Sequence, residues 1–298
     1  MGFMTFVLEY PKRALGRQRY LHLRARLLDL APGRTMRACR QFMRLDPIRA
    51  TVLTLRYFLL AKILRRLRTF QSPSQSVSPN TIDYNLTAFK RPLLLQRTRV
   101  LLRPLTVIET LTPNSRILIV GPRSEDDLLH LNAYGFRNVR GLDLISYSPH
   151  VDLGDMHQLP YGDSTFDAVL YGWVLVYSSD PDRAAREAIR IVKDGGIVGI
   201  GAEHYPSYDG TASSIPQDSR LDYPVGGKRI NSAAQHLDLF SGHVKHVFFV
   251  HDVGTEVIDH MSNTCVIFSV KKACPTDRTD GCCHNEPPES RRSAPASV

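Results

Sequence analysis

The chain has 298 residues, of which 43% are hydrophobic and 22% charged. That is enough apolar material for a large core at an ordinary charge content, which excludes collagen, coiled coil and wholesale disorder. The net charge of +9 is unevenly divided: residues 1–70 carry 16 Lys+Arg against Glu9, Asp29 and Asp46, while the remainder carries 22 bases against 26 acids.

A basic arm is therefore expected at residues 1–70, with breaks at Pro11, Pro32-Gly33 and Pro47. Its most apolar stretch, Thr51 to Leu64, is interrupted by Arg56 and Lys62, so a transmembrane helix is not predicted. No secretory signal peptide is evident and Phe6 breaks the myristoylation pattern, so a cytoplasmic location is expected, with an organelle transit segment as the alternative. The scattered cysteines fit the reducing cytoplasm. Residues 50–70, with Arg56, Lys62, Arg65, Arg66 and Arg68 among Leu, Ile, Phe and Tyr, suit a helix at an anionic membrane surface. They equally suit a helix packed by its apolar side on the main domain. Nucleic acid ranks third, because no binding module accompanies the charge.

Residues 71–80 read as a Ser/Pro linker, 81–272 as the main domain and 273–298 as a disordered tail. Within the main domain, Ile117 to Val120 reads as a buried parallel strand, and Ser124 as a helix N-cap making a capping box with Asp127. Further strands are expected at Val139 to Leu144, Val151 to Leu153 and from Phe166 towards Val176. Asp180 and Pro181 start a helix that Gly195-Gly196 should stop. A strand at Ile197 to Ile200, a helix within 230–240 and strands at 244–250 and 265–270 follow. This alternation predicts an α/β fold with a mostly parallel sheet covered on both faces.

Ligands of such sheets bind beyond the carboxyl ends of the strands. There the chain places Gly121-Pro122-Arg123-Ser124, then Asp143, then Asp155 and Met156. An acid 22 residues after Gly121 can accept from a ribose diol, and Asp155 lies where an adenine edge would sit. Glu125, Asp126 and Asp127 disfavour a pyrophosphate at the helix start, which counts against NAD or FAD. S-adenosylmethionine lacks phosphate and carries a sulfonium cation, so it tolerates these acids.

Gly-Leu-Asp-Leu (141–144), Gly-Asp-Met-His-Gln-Leu-Pro-Tyr-Gly-Asp-Ser-Thr-Phe-Asp-Ala-Val (154–169) and Asp-Pro-Asp-Arg-Ala-Ala-Arg-Glu-Ala-Ile-Arg-Ile-Val-Lys-Asp-Gly-Gly (180–196) resemble class I S-adenosylmethionine-dependent methyltransferases, over about residues 95–272. The resemblance implies a Rossmann-like seven-stranded sheet with its last strand antiparallel. It implies cofactor contacts from Gly121, Pro122, Arg123, Asp143, Asp155 and Met156, with Gly172 and Trp173 near the methionine end, although Trp173 suits core packing better. His204 and Tyr205, after the fifth strand, are the candidate proton acceptors, with His157 behind them. Residues 206–229 are long enough for an acceptor-binding lid.

Two departures stand out: the first motif keeps one glycine, and about seven residues join strands two and three, too few for a crossover helix. The expected function is methyl transfer to a small, sugar or lipid-linked acceptor; the alternatives are an inactive docking module and a nicotinamide enzyme. No metal site is expected, since His243 and His246 point to opposite strand faces and Cys282-Cys283-His284 lies in the tail.

Overall fold

The structure is a computed structural model that describes residues 40–71, 81–89, 94, 98–178, 180–204, 232–252 and 262–272. The lid at 206–229, Tyr205 and the tail from 273 lie outside them. Helix α1 (Asp46–Tyr57) runs into a π-helical turn, Phe58–Ile63, and then a two-residue strand β1 (Arg68–Thr69). Helices α2 (Thr81–Ala88) and α3 (Arg99–Leu102) precede the main sheet. There β2 (Arg116–Val120), α4 (Asp126–Ala133), β3 (Asn138–Asp143), β4 (Ile145–Ser146), β5 (Val151–Leu153) and β6 (Phe166–Gly172) follow in order. Helix α5 (Pro181–Ile191), β7 (Val192–His204), α6 (Ala233–Asp238), β8 (Val244–His251) and β9 (Ser262–Val270) complete the fold.

The main sheet has seven strands in the order β5-β3-β2-β6-β7-β9-β8, all parallel except β9, which runs antiparallel to both neighbours. It is Rossmann-like, as expected. Alternate residues serve opposite faces: Ile117 and Ile119 join a core with α1, α3 and α4, while Leu118 and Val120 join one with α5 and α6. Burial on both sides is why these strands read as unbroken aliphatic runs.

Local signals hold at several ends. Asp180 Oδ1 accepts the Arg183 N–H, and Ser232 with Gln235 forms a full capping box on α6. Others give way to tertiary pairing. Helix α5 ends at Ile191, before Gly195-Gly196, because Val192 already pairs with Phe166; Gly195, at φ +71°, instead turns the chain inside β7. The capping box of Ser124 with Asp127 does not form. Helix α4 starts at Asp126, and Asp127 Oδ1 accepts from Thr98 Oγ1 at 2.6 Å.

Strands β3 and β5 are parallel neighbours joined only by residues 144–150. No crossover helix fits there. The N-terminal segment takes its place: β1 pairs antiparallel with β4, Phe70 N–H donates to Leu144 O at 2.7 Å, and Tyr57, Phe89 and Tyr147 pack ring to ring.

Helix α1 is bound to the main domain by charge as well as by Leu53 and Leu60, which join its core. Arg49, fully buried, holds Asp126 at 2.5 Å, and Arg56 holds both oxygens of Glu125 at 2.7 Å. Glu125, Asp126 and Asp127 are all buried, so each needs its partner. His130, on the same helix, is pushed down to about 3 by burial and then by Arg49, and stays neutral beneath them. Removing one side of such a pair strands the other, so Arg49→Ala should cost about 3–5 kcal/mol in urea unfolding. Arg49→Met combined with Asp126→Leu should recover most of that loss.

Candidate functional site

The carboxyl ends of β2, β3, β5 and β6 bring most of the sequence-predicted residues to one rim. Gly121 continues β2 at φ +70°, and its N–H donates to Leu142 O at 2.8 Å. A side chain there would collide with Val174 Cγ1, so Val174 fills the space that the glycine leaves. Pro122 is buried against Gly141 of β3, where a Cβ would meet its ring at 2.9 Å. Arg123, at φ 52°, gives its N–H to Asp143 Oδ2 at 2.8 Å.

Asp143 ends β3 with 7% of its surface exposed. Its other oxygen accepts the Ile145 N–H at 3.2 Å. Burial nevertheless raises this carboxyl to about 6. The backbone N–H groups of the loop are taken as well: Ser124 by Pro122 O, Glu125 by Tyr147 Oη, Asp126 by Ser124 Oγ.

Asp155 follows β5 and is buried. His157 Nδ1 lies 2.6 Å from Asp155 Oδ1, and His157 Nε2 lies 2.6 Å from Ser178 Oγ. An ionised Asp155 sets the tautomer: Nδ1–H donates to it and Nε2 accepts from the serine hydroxyl. Ser178 Oγ also accepts the Asp180 N–H, and all three side chains are buried. The chain thus ties the loop after β5 to the cap of α5. It is a brace, with no open approach to the serine. Met156 is half-buried against the core beneath.

Gly172 ends β6, with Asp127 Oδ2 4.0 Å from where its Cβ would stand. Trp173 is turned back at φ 60°, its N–H on Gly201 O and its Nε1–H on Asn263 Oδ1 at 3.1 Å. Its ring is buried over Gly201, where a Cβ would meet it at 2.6 Å. The placement is core packing, as its size suggested. His204 is the last residue of β7, paired with Ser262 of β9, and Tyr205 lies outside the described residues. Val174, Ser178 and the arginines that hold Glu125 and Asp126 carry no signal in the sequence; Arg56 in particular reads there as a surface charge. Among the described residues no group of His, Cys, Asp and Glu could hold a metal.

Residues 126–200 match the model of a family described as a methyltransferase domain. That segment is similar to a methyltransferase domain. The match spans α4 to the middle of β7, and with it Asp126, Asp127, Asp143 and Asp155. No curated protein matches the chain. Among solved structures, the chain is similar to geranyl diphosphate methyltransferase in complex with SAM at 13% identity and TM-score 0.45, covering 66% of this chain and 93% of that one. It is similar to the [4+2]-cyclase SpnF at 18% and 0.42, covering 75% and 96%. It is similar to the YcgJ protein from Bacillus subtilis at 14% and 0.38, covering 58% and 98%.

The fit of this rim to S-adenosylmethionine, the cofactor that the sequence motifs imply, differs between its two halves. On the adenosine side, a buried carboxylate stands at the end of β3. On the methionine side, Val174 occupies the room beside Gly121, and the loop N–H groups are spent internally. Gly121→Ala should lower stability by about 2–4 kcal/mol in urea unfolding, through a strained φ and the clash with Val174. Combining it with Val174→Ala should recover the part due to the clash and leave the part due to φ.

Proposed function

We propose that this chain binds S-adenosylmethionine across the ends of β2, β3 and β5 and transfers its methyl group to a small, sugar or lipid-linked acceptor. The observation that carries this reading is Asp143, a carboxylate kept at a strand end despite burial, beside a left-handed Gly121 loop. In this reading Asp143 accepts a ribose hydroxyl, Asp155 and Met156 border the adenine, and Arg123 meets the ligand's carboxylate. Gly172 and Trp173 shape the wall at the methionine end. His204 and Tyr205 take the acceptor's proton.

The cofactor supplies a methyl group already activated on sulfonium, so the protein's part is alignment and exclusion of water. A cytoplasmic location accords with this chemistry. The acceptor class follows from the arm, whose basic and apolar composition suits a membrane-borne or anionic substrate.

A second reading, a methyltransferase-like docking module without catalysis, is favoured by Val174 beside Gly121 and by the satisfied loop. Titration calorimetry with S-adenosylhomocysteine separates the two. The enzyme reading expects saturable binding, tightened by Val174→Ala because the substitution opens the pocket. Absence of millimolar binding by both proteins selects the docking module.

The pH profile tests the carrying residue. A ribose hydroxyl donates to the ionised carboxylate, so binding is strong above the Asp143 value of about 6 and fails below it. Affinity should be about tenfold weaker at pH 5 than at pH 7–8. A flat profile over that range removes Asp143 from the site.

A further inference from the structure

The outer surface of the N-terminal helix inverts the usual arrangement of a soluble protein. Its inward stripe carries Arg49, Leu53, Arg56 and Leu60, with both arginines consumed by Asp126 and Glu125. Its outward stripe is apolar: Leu45, Ile48, Leu55, Phe58, Leu59 and Ile63 are 36–64% exposed. The threonines among them do not make this face polar. Thr51 and Thr54 turn their hydroxyls onto Pro47 O and Ala50 O, at 2.8 and 2.9 Å, and so leave their methyl groups outward.

Basic residues gather at the end of this stripe. Lys62 and Arg65 are exposed there, and Arg66 and Arg68 then line a cavity of about 370 Å³ with Ser146, Ser148 and Asp152, the last held by Arg140. The acid of α1, Asp46, is held by Arg49 and Arg99. Six large apolar side chains exposed along one stripe mark an interaction surface rather than scattered single residues. It is also not a spanning element, since no helix among the described residues is long and apolar enough to cross a membrane.

We propose that this face docks on an anionic phospholipid bilayer, with α1 and the π-helical turn lying along the surface. The apolar stripe enters the headgroup–acyl boundary and Lys62, Arg65 and Arg68 meet the phosphates, the pairing that interfacial helices use. Charge decides against a second copy of the chain, which would bring two basic arms together. It admits nucleic acid, but an apolar stripe offers nothing to a polyanion without a lipid phase. The inference is independent of the cofactor reading.

Vesicle flotation of the full chain tests it, with phosphatidylcholine vesicles against the same vesicles holding about 30% phosphatidylserine. The expected result is enrichment on the anionic vesicles, reduced about tenfold or more by Leu55→Glu with Phe58→Glu and Ile63→Glu. These positions face away from the core, so circular dichroism and S-adenosylhomocysteine binding should match the parent chain. A gain of signal guards against a misfolded variant. Phe58→Trp adds an exposed indole to a chain whose one native tryptophan is buried, and its emission should shift to the blue on anionic vesicles alone. The proposal is overturned if the parent chain does not float, if the triple variant floats equally, or if the new indole shows no shift. It is likewise overturned if the triple substitution dissolves a dimer or abolishes RNA binding while vesicle binding is unchanged.

Discussion

The burial of three consecutive carboxylates at the start of α4 is the constraint on which the rest of the molecule depends. Acids in a first helical turn are favoured by the helix dipole, but that gain is small beside the cost of removing them from water. Glu125, Asp126 and Asp127 are nonetheless buried. Each is met by a group that precedes it in the chain: Arg56, Arg49 and Thr98. The domain therefore needs its N-terminal arm in order to fold around this turn. The arm, in turn, gains a fixed seat beside the loop that would hold a cofactor.

That seat determines what the arm presents to solvent. A helix has one stripe to bury, and here the stripe is spent largely on guanidinium groups. The leucines, isoleucines and phenylalanine that would ordinarily fill it are left on the outer side. Strap residues after the helix then pair with β4 and cover the sheet edge where a crossover helix is missing. One segment thus neutralises the acid turn, closes the edge and exposes an apolar face.

The parts of the fold legible in the sequence are those whose signal is local. The strands from Ile117, Val139, Val151 and Phe166 were visible because two-sided burial writes them as aliphatic runs, and α5 because Asp180-Pro181 is a cap by itself. Strands β1 and β4, of two residues each, exist only because each pairs with the other across the chain. The same distinction holds at the site. Asp143 and Asp155 could be placed from strand ends. Their hydrogen bonds, the Ser178 brace and the Val174 side chain beside Gly121 come from other segments, and no spacing encodes them. The sequence of the acid turn suggests a neighbour tolerable to a sulfonium, whereas in the fold it is a docking point for arginine.

The bonding of Asp143 sets a limit on how a nucleoside could be gripped. A carboxylate offers about four acceptor positions, and two are taken by the N–H groups of Arg123 and Ile145. Two remain, one on each oxygen, which is the number a ribose diol needs and no more. A ligand that drew on the position held by the Arg123 N–H would loosen the Gly121–Ser124 loop as it entered. Loosening that loop also frees the chain beside Val174, the group that fills the methionine side. The grip on the ribose and the obstacle on the methionine side are thus joined through one short loop.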